Sequence, residues 1–305
     1  MKIGINGTGL VQKGSVAAVV DHASIAAADG FAHYWLAEHP TGGFDALTVL
    51  TAVGQAVPNI ELGTAIVPTF PRHPVVLAGQ ARTSADIVGP RLTLGIGLSH
   101  EVMLAQLGIG FEKPIRHLRE YLSILMPLLR EGRVDYQGET LSCTATLFGV
   151  PQGSIPVVVA ALGPQALSVC GKLADGTTLA WVGPKTIAEH IVPRLSEAAA
   201  KAGRKAPRVI STLPVCVTQQ PDVIRGAISK GLSMYGQLPS YRAMFDREGV
   251  AGPADIAIVG SRAEVCDAIE GLAAAGVTDF AASEFCLSPA EREETRDALQ
   301  SLVAA

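Results

Sequence analysis

The sequence predicts an α/β chain folded as a (β/α)8 TIM barrel with insertions. Three observations carry this. Eight short apolar runs, each closed by Gly, Pro or a polar residue, alternate from end to end with stretches of helical spacing. Pro156–Ala160 lacks the side-to-side alternation of a half-solvated strand, so both of its faces are buried, as in a parallel sheet. A length of 305 residues suits eight βα units with insertions in one closed unit, and no linker or shift in composition splits them. Residues 1–305 are therefore read as a single domain, with an insertion at about 132–156 and an extra helical segment at about 235–255.

The first strand is Lys2–Asn6, closed by Gly7 and Gly9. Ser15–Asp29, rich in Ala and Val, is the first helix, and Gly30 stops it. Phe31–Trp35 is the second strand. Asp45 caps a helix that runs to Val57 before Pro58 ends it. Ile60–Val67 is the third strand, and Pro74 opens a helix to Val88 from a position where its missing N–H costs nothing. Leu92–Ile96 is the fourth strand and Ile115–Arg130 the next strong helix. Gly132–Pro156, with four Gly and two Pro, is a hairpin or ordered loop. Strands Pro156–Ala160, Thr177–Trp181 and Arg208–Thr218 then alternate with helices Gln165–Ala174, Pro184–Ala202 and Asp222–Tyr235, the last followed by a helical stretch near Tyr241–Glu248. A short extra strand at Ile256–Val259 and a helix at Ala263–Ala275 lead to the eighth strand, Val277–Ala281, and the last helix, Pro289–Val303.

Composition narrows the function. Hydrophobic residues are 48% and charged residues 17%, so a chain of this size builds a sizeable core without staples. A net charge of −4 lacks the basic signature of a nucleic-acid binder. The five cysteines show no CxxC spacing and are read as reduced thiols in a cytoplasmic protein. Met1-Lys2 leads straight into Ile3, so no secretory leader is expected, and no apolar run of membrane-spanning length occurs. The seven histidines have no metal-ligand spacing, so no metal is expected. There is also no GxSxG elbow and no phosphate loop of the GxxxxGK type.

In such a barrel the site lies at the carboxyl ends of the strands. Those ends carry mostly small and apolar residues with two histidines, a site where a bound organic cofactor does the chemistry. The run Val157–Pro164 leads from a buried strand through Gly163-Pro164 into a helix. Its backbone amides either hold a phosphate or simply make a tight turn. The opening Gly4–Gly9 resembles a dinucleotide fingerprint, and Ser142-Cys143-Thr144 mimics the nucleophile of glyceraldehyde-phosphate dehydrogenases. The third glycine is replaced by Gln12, however, and βα alternation continues where that family has an antiparallel domain.

Five segments together resemble the bacterial-luciferase-like family of flavin and deazaflavin (F420) oxidoreductases: Gly30-Phe31 with Tyr34–His39, Ile60–Pro68, Arg72-His73-Pro74, Arg91–Gly97, and Ala160–Pro164 with Leu173–Gly176. The resemblance implies a redox ring lying across the barrel mouth and hydride transfer between F420 and a small organic substrate. The alternatives are an FMNH2-dependent two-component monooxygenase and, in another class, a non-catalytic flavin-binding barrel. It implies that Glu38-His39 is the acid–histidine pair after the second strand, with His39 facing the ring, and that Ala65-Ile66 is a non-prolyl cis peptide behind it. Gly97, Leu98 and Ser99 would line the ring, and Ala161, Leu162, Gly163 and Pro164, after Ala160, would hold a phosphate. His100 stands where relatives often place a glutamate, and Asn6 at the end of the first strand where relatives place other polar or acidic groups. His39, His100 and Glu38 are thus the candidate catalytic residues, the imidazoles because they titrate near neutral pH. Trp181 is either core filler or a wall of the site. Relatives often dimerise, and the Ala26-Ala27-Ala28 face would allow close packing of two copies.

Overall fold

The structure, a computed structural model, describes residues 1–11, 14–149 and 153–303; Gln12 and positions 150–152 of the excursion lie outside the described residues. In chain order the elements are β1 (Lys2–Asn6), α1 (Thr8–Val11), α2 (Val16–Ala28), β2 (His33–Leu36), α3 (Ala46–Ala56), β3 (Glu61–Thr64), β4 (Val67–Pro68), α4 (Pro74–Val88), β5 (Leu92–Gly97), α5 (Glu101–Ala105) and α6 (Pro114–Glu131). There follow β6 (Arg133–Tyr136), β7 (Cys143–Thr146), β8 (Val157–Val159), α7 (Pro164–Leu173), β9 (Gly176–Ala180), α8 (Pro184–Thr186), α9 (Val192–Lys201), β10 (Arg208–Thr212) and β11 (Pro214–Val217). The chain ends with α10 (Pro221–Gly231), α11 (Pro239–Glu248), β12 (Ile258–Gly260), α12 (Arg262–Ala274), β13 (Asp279–Glu284) and α13 (Pro289–Val303). Strands β1, β2, β3, β5, β8, β9, β10 and β13 pair side by side in parallel, and β1 closes the cylinder against β13 with Lys2 opposite Asp279.

The barrel interior is filled in layers. At the amino-terminal end Arg208 donates to Asp279 at 2.8 and 3.2 Å and to Glu61 at 2.6 Å, a charged plug within the cylinder. Beside it Trp35 donates its indole N–H to His33 Nδ1 at 2.8 Å, which fixes that imidazole as the Nε2–H tautomer. Burial, only partly opposed by Asp279, depresses the His33 pKa to about 4, so it is neutral. The next layer is apolar: Trp35, Val158, Ile210 and Ala281 pack together with Ala65 above them. The larger core lies between the cylinder and its helices.

Local chemistry sets the boundaries. Asp45 accepts from the Thr48 N–H, and Ser261 forms a reciprocal capping box with Glu264 at the start of α12. His73 caps α4 ahead of Pro74.

The structure departs from the sequence reading at several points. The run 60–67 is two strands: between Gly63 opposite Thr93 and Val67 opposite Ile96 one extra residue is accommodated, a bulge. Thr64 Oγ1 fills the gap, donating to the Gly95 carbonyl and accepting from the Gly95 N–H. The run 208–218 also breaks, because Pro214 has no N–H to continue the ladder. Beyond the break, β11 leaves the cylinder to pair with β12 and the end of β13. The helix expected over 184–202 contains a π turn at Ile187–Ile191, where the Val192 N–H reaches Ile187 O and Pro193 cannot donate. The helix expected to reach Tyr235 ends at Gly231 and gives way to a 3-10 turn at Ser233–Gly236. The short helices α1 and α5 were not expected. Of the Ala26-Ala27-Ala28 stretch, Ala26 is packed into the chain's own core, Ala27 is half-buried and Ala28 is exposed. Among the described residues no helix is long and apolar enough to cross a membrane.

The excursion forms an antiparallel hairpin, β6 with β7, pinned to α6 by Glu120. Its carboxylate accepts from the N–H groups of Glu139, Thr140 and Leu141 at 2.7–3.0 Å and from the Thr140 hydroxyl at 2.6 Å. Burial works against ionisation, but these donors win and hold the pKa at about 2, against an ordinary 4.5. A depressed carboxyl stabilises the fold above its ordinary value and loses that contribution as pH falls toward the folded value. Acid is therefore expected to loosen the hairpin between about pH 4.5 and pH 2. Glu120→Gln should remove that acid-dependent step and cost roughly 2 kcal/mol at neutral pH, read by urea melts across pH.

Candidate active site

The second strand delivers Glu38 and His39 to the barrel mouth, and the backbone there is pinned. The Ala37 N–H donates to Thr8 Oγ1 at 2.9 Å, the Glu38 N–H donates to Ile66 O at 2.9 Å, and the Gly42 N–H donates to His39 O. The Glu38 carboxylate is spent in this scaffold. One oxygen accepts from the Ala46 N–H and the other from Arg72, which also grips Asp45 at 2.9 Å. Burial raises the Glu38 pKa, with Arg72 opposing it. Glu38, expected as a candidate catalytic residue, thus has both carboxylate oxygens engaged in holding the loop that carries His39. The half-buried His39 imidazole has no hydrogen-bond partner among the described residues, and burial lowers its pKa.

The kinked third strand forms one side of the mouth. The Ala65–Ile66 peptide is cis. The Ala65 N–H donates to Leu36 O, and Ile66 O receives the Glu38 N–H, so the kink and the His39 loop share hydrogen bonds. A Cβ on Gly97 would stand 2.9 Å from Ile66 Cγ1 and 3.1 Å from Ala160 Cβ, closer than side chains pack, so only glycine fits. The Ile66 side chain and Ala160 therefore meet over Gly97, with Ala65 beside them on the kinked strand. Asn6 adjoins the Thr212 hydroxyl at 3.4 Å and accepts from the Thr8 N–H, so it serves the local turn as well as the mouth. Leu98 packs partly into the core. Ser99 adopts φ 63°, a backbone uncommon for a residue with a side chain.

That turn presents His100, whose carbonyl accepts from the Met103 and Leu104 N–H groups but whose imidazole caps nothing and has no hydrogen-bond partner among the described residues. Its pKa is lowered by burial and, next, by the positive charge His39 would carry. Tyr241 lies 5.6 Å from the His100 ring, Tyr235 lies 5.3 Å from Tyr241, and Trp181 lies 5.7 Å from Tyr235. Trp181 is thus part of a continuous aromatic wall rather than isolated core. Tyr235 and Tyr241 are the site residues that sequence reasoning missed; the only signal was two tyrosines in the helical segment between the seventh and eighth strands.

At the fifth strand's end the helix α7 begins at Gly163, with Pro164 in its first turn and no side chain capping it. A Cβ on Gly163 would meet nothing within 4 Å, so the approach to the first amides is open. His190 holds the preceding turn through Nε2 on Leu162 O at 2.8 Å. Ala161, by contrast, is wholly buried, and the Ala160 N–H is used on Ile96 O, so of the expected phosphate holders only Leu162, Gly163 and Pro164 border open space. Among the described residues no cluster of three or more His, Cys, Asp or Glu stands ready for a metal. Cys143 lies half-buried on the hairpin strand β7, away from these groups.

The architecture is that of a parallel barrel enzyme with its candidate site at the carboxyl ends of the strands. The profile of the luciferase-like monooxygenases matches residues 3–279, and the chain belongs to that family. It is 29% identical over 183 residues to the 5,10-methylenetetrahydromethanopterin reductase of Archaeoglobus fulgidus, covering 60% of this chain and 54% of that one. It is 30% identical over 217 residues to the F420-dependent glucose-6-phosphate dehydrogenase of Microbacterium testaceum, covering 67% and 65%. A solved F420-dependent secondary alcohol dehydrogenase in complex with an F420-acetone adduct superposes with a TM-score of 0.83 at 17% identity, over 99% of this chain and 98% of that one, a likeness of fold. The aligned stretches span roughly half to two thirds of the length of these curated relatives.

Proposed function

We propose that this protein is an F420-dependent oxidoreductase that moves a hydride between the deazaflavin and a small organic substrate. The observation that carries the reading is the close meeting of Ile66, Gly97 and Ala160 at the strand ends, where an added Cβ at position 97 would not fit, at a mouth that also carries two imidazoles without a hydrogen-bond partner among the described residues. The curated relatives named for F420 support the choice of cofactor. When bound, F420 supplies two-electron hydride chemistry, which the side chains here do not offer on their own. Ala65, Ile66, Gly97 and Ala160 would seat its ring, Leu98 and Ser99 would border it, and the N–H groups of Gly163 and of Gln165, just past Pro164 at the start of α7, would take a phosphate of its tail. His39 holds or delivers one proton at its free ring nitrogen, and His100 is the second candidate for that task. Glu38, Arg72 and Asp45 keep the His39 loop in place, and the aromatic wall excludes water. The protein is further proposed to be a cytoplasmic homodimer. Five free cysteines support the first part of that statement, and exposed Ile25, Val76 and Ile87 on the outer helices support the second.

Titrating the purified protein with F420 and with FMN, each followed by fluorescence, tests the reading. F420 is expected to bind at least about tenfold more tightly than FMN, a difference of roughly 1.4 kcal/mol. Tighter binding of FMN would turn the assignment to a two-component monooxygenase using FMNH2 and oxygen.

A further inference from the structure

The wall across the mouth has a chemical character of its own. Trp181 holds φ 58°, and its N–H donates to Thr212 O at 3.2 Å, so its backbone conformation is fixed by the barrel. Tyr235 meets it edge-on at 64°, Tyr241 meets Tyr235 at 88°, and His100 completes the line at 47°. These rings come from two strand ends and from the helical segment of residues 233–248, brought together by the fold.

That segment is clamped in place. Glu248, the last residue of α11, caps α8 by accepting from the N–H groups of Lys185 and Thr186 at 3.1 and 2.7 Å. The room for its carboxylate exists because position 183 is glycine, where a Cβ would lie 2.3 Å from Glu248 Cδ. Tyr241 also stacks on the buried Phe245 at 6.5 Å. The wall is therefore a fixed surface.

Its charge is as telling as its shape. Arg72 bonds Glu38 and Asp45 through Nη2, so two carboxylates match its charge although its buried Nη1 has no hydrogen-bond partner among the described residues, and Arg242 is taken by Asp246 and by the carbonyls of Val250 and Ala251. No ion pair of the described residues involves a wall residue. What the wall and its surroundings do offer are aromatic faces and polar tips free of ion pairs, among them the Tyr241 phenol and the imidazoles of His39 and His100, which have no hydrogen-bond partner among the described residues. Aromatic faces favour flat rings, and unpartnered neutral donors favour a carbonyl oxygen over a phosphate or carboxylate, which would need a cation.

We propose that the substrate is a flat, uncharged ring compound whose reducible double bond is conjugated to a carbonyl, held against the aromatic line of Trp181, Tyr235 and Tyr241 with its oxygen toward Tyr241 and the histidines. This rests on the hydride-transfer reading above. A hydride from reduced F420 forms a new C–H bond at the β-carbon, and the C=C π bond breaks. Its electron pair passes to the carbonyl side, and one proton, delivered through an imidazole, completes the α-carbon. The ketone gains two hydrogens, and F420 is left oxidised.

The test separates this proposal from the cofactor assignment. F420 affinity is measured by fluorescence, binding of cyclohex-2-enone to the cofactor-free protein by calorimetry, and turnover by the absorbance of F420, with glucose 6-phosphate as the charged, non-planar comparison. The variants are Trp181→Ala and the conservative Tyr241→Phe, each checked by thermal melting. The expected result is enone reduction without glucose 6-phosphate oxidation, with KM for the enone raised at least about tenfold in both variants and F420 affinity unchanged. F420 binding with no enone turnover, or with the phosphosugar preferred, overturns the substrate proposal and leaves the cofactor assignment standing. If F420 does not bind at all, the cofactor assignment falls and calorimetry still decides. Enone binding that is lost in Trp181→Ala supports the wall as a ring site, and absence of binding to the unaltered protein overturns it.

Discussion

Replacing Arg208 by alanine is expected to cost about 3–5 kcal/mol of stability, a large part of what a folded domain has. Arg208 sits at the amino-terminal end of the barrel and satisfies two carboxylates at once, with Asp279 almost fully buried. Burial alone would raise the pKa of both Asp279 and Glu61; Arg208 reverses the sign and holds both below their ordinary values. Without it, two carboxylates remain against a neutral His33 that offers no compensating charge. Their folded pKa values then rise above the unfolded ones, so the variant should regain stability as pH falls from 7 toward 5. The native protein should not gain in that direction. Guanidinium melts at the two pH values check the sign as well as the size.

The second large effect is chemical. His39→Ala is expected to lower kcat about 10²–10³-fold while changing F420 affinity little, because it removes a proton carrier and not the floor of the site. The loop itself should persist, since its hydrogen bonds run through backbone groups, Glu38 and Arg72. The pH profile carries a further sign. Burial places the folded pKa of His39 below 6.5. In the direction of substrate reduction the imidazolium is the donor, so the rate falls as pH rises through that value. In the direction of oxidation the neutral imidazole is the acceptor, and the rate falls as pH drops through it. Measuring kcat in both directions across pH 5–8 in the native protein and in His39→Ala distinguishes a proton carrier from a merely structural histidine.

Much of this architecture can be read from residues close together in the chain. Pro74 at a helix start and Gly30 after a helix end fix element boundaries through backbone chemistry that any reader of the sequence can apply. The unbroken apolar runs of the strands announce burial on both faces, and with it the parallel cylinder. The bulge in the third strand is less accessible. It depends on the Thr64 hydroxyl bridging both backbone groups of Gly95 on the neighbouring strand, a contact that no local pattern encodes. The break at Leu213 was in principle legible from Pro214, but the run around it is apolar enough to mask a change of partner strand.

The site divides in the same way. His39 and His100 stand out because strand ends point to the mouth and few polar residues occur there. Glu38 stands out equally, yet its role is decided by Arg72 and Ala46, which lie elsewhere in the chain. Ala161 illustrates a parity limit: one step along the chain from Ala160, its side chain faces the core instead of the mouth. Tyr235 and Tyr241 are invisible to any motif, since their meaning comes from the docking of a helical segment through Glu248 onto the start of α8.

The central claim is that a flat ring rests where the kinked third strand, Gly97 and Ala160 meet. The most direct measurement is F420 affinity in Ala160→Phe, with the melting temperature recorded alongside. Filling the patch with a phenyl group should weaken F420 binding at least about a hundredfold while the fold is retained, because the added ring takes the cofactor's own space. Native-like F420 affinity in a folded Ala160→Phe protein would contradict the placement of the ring.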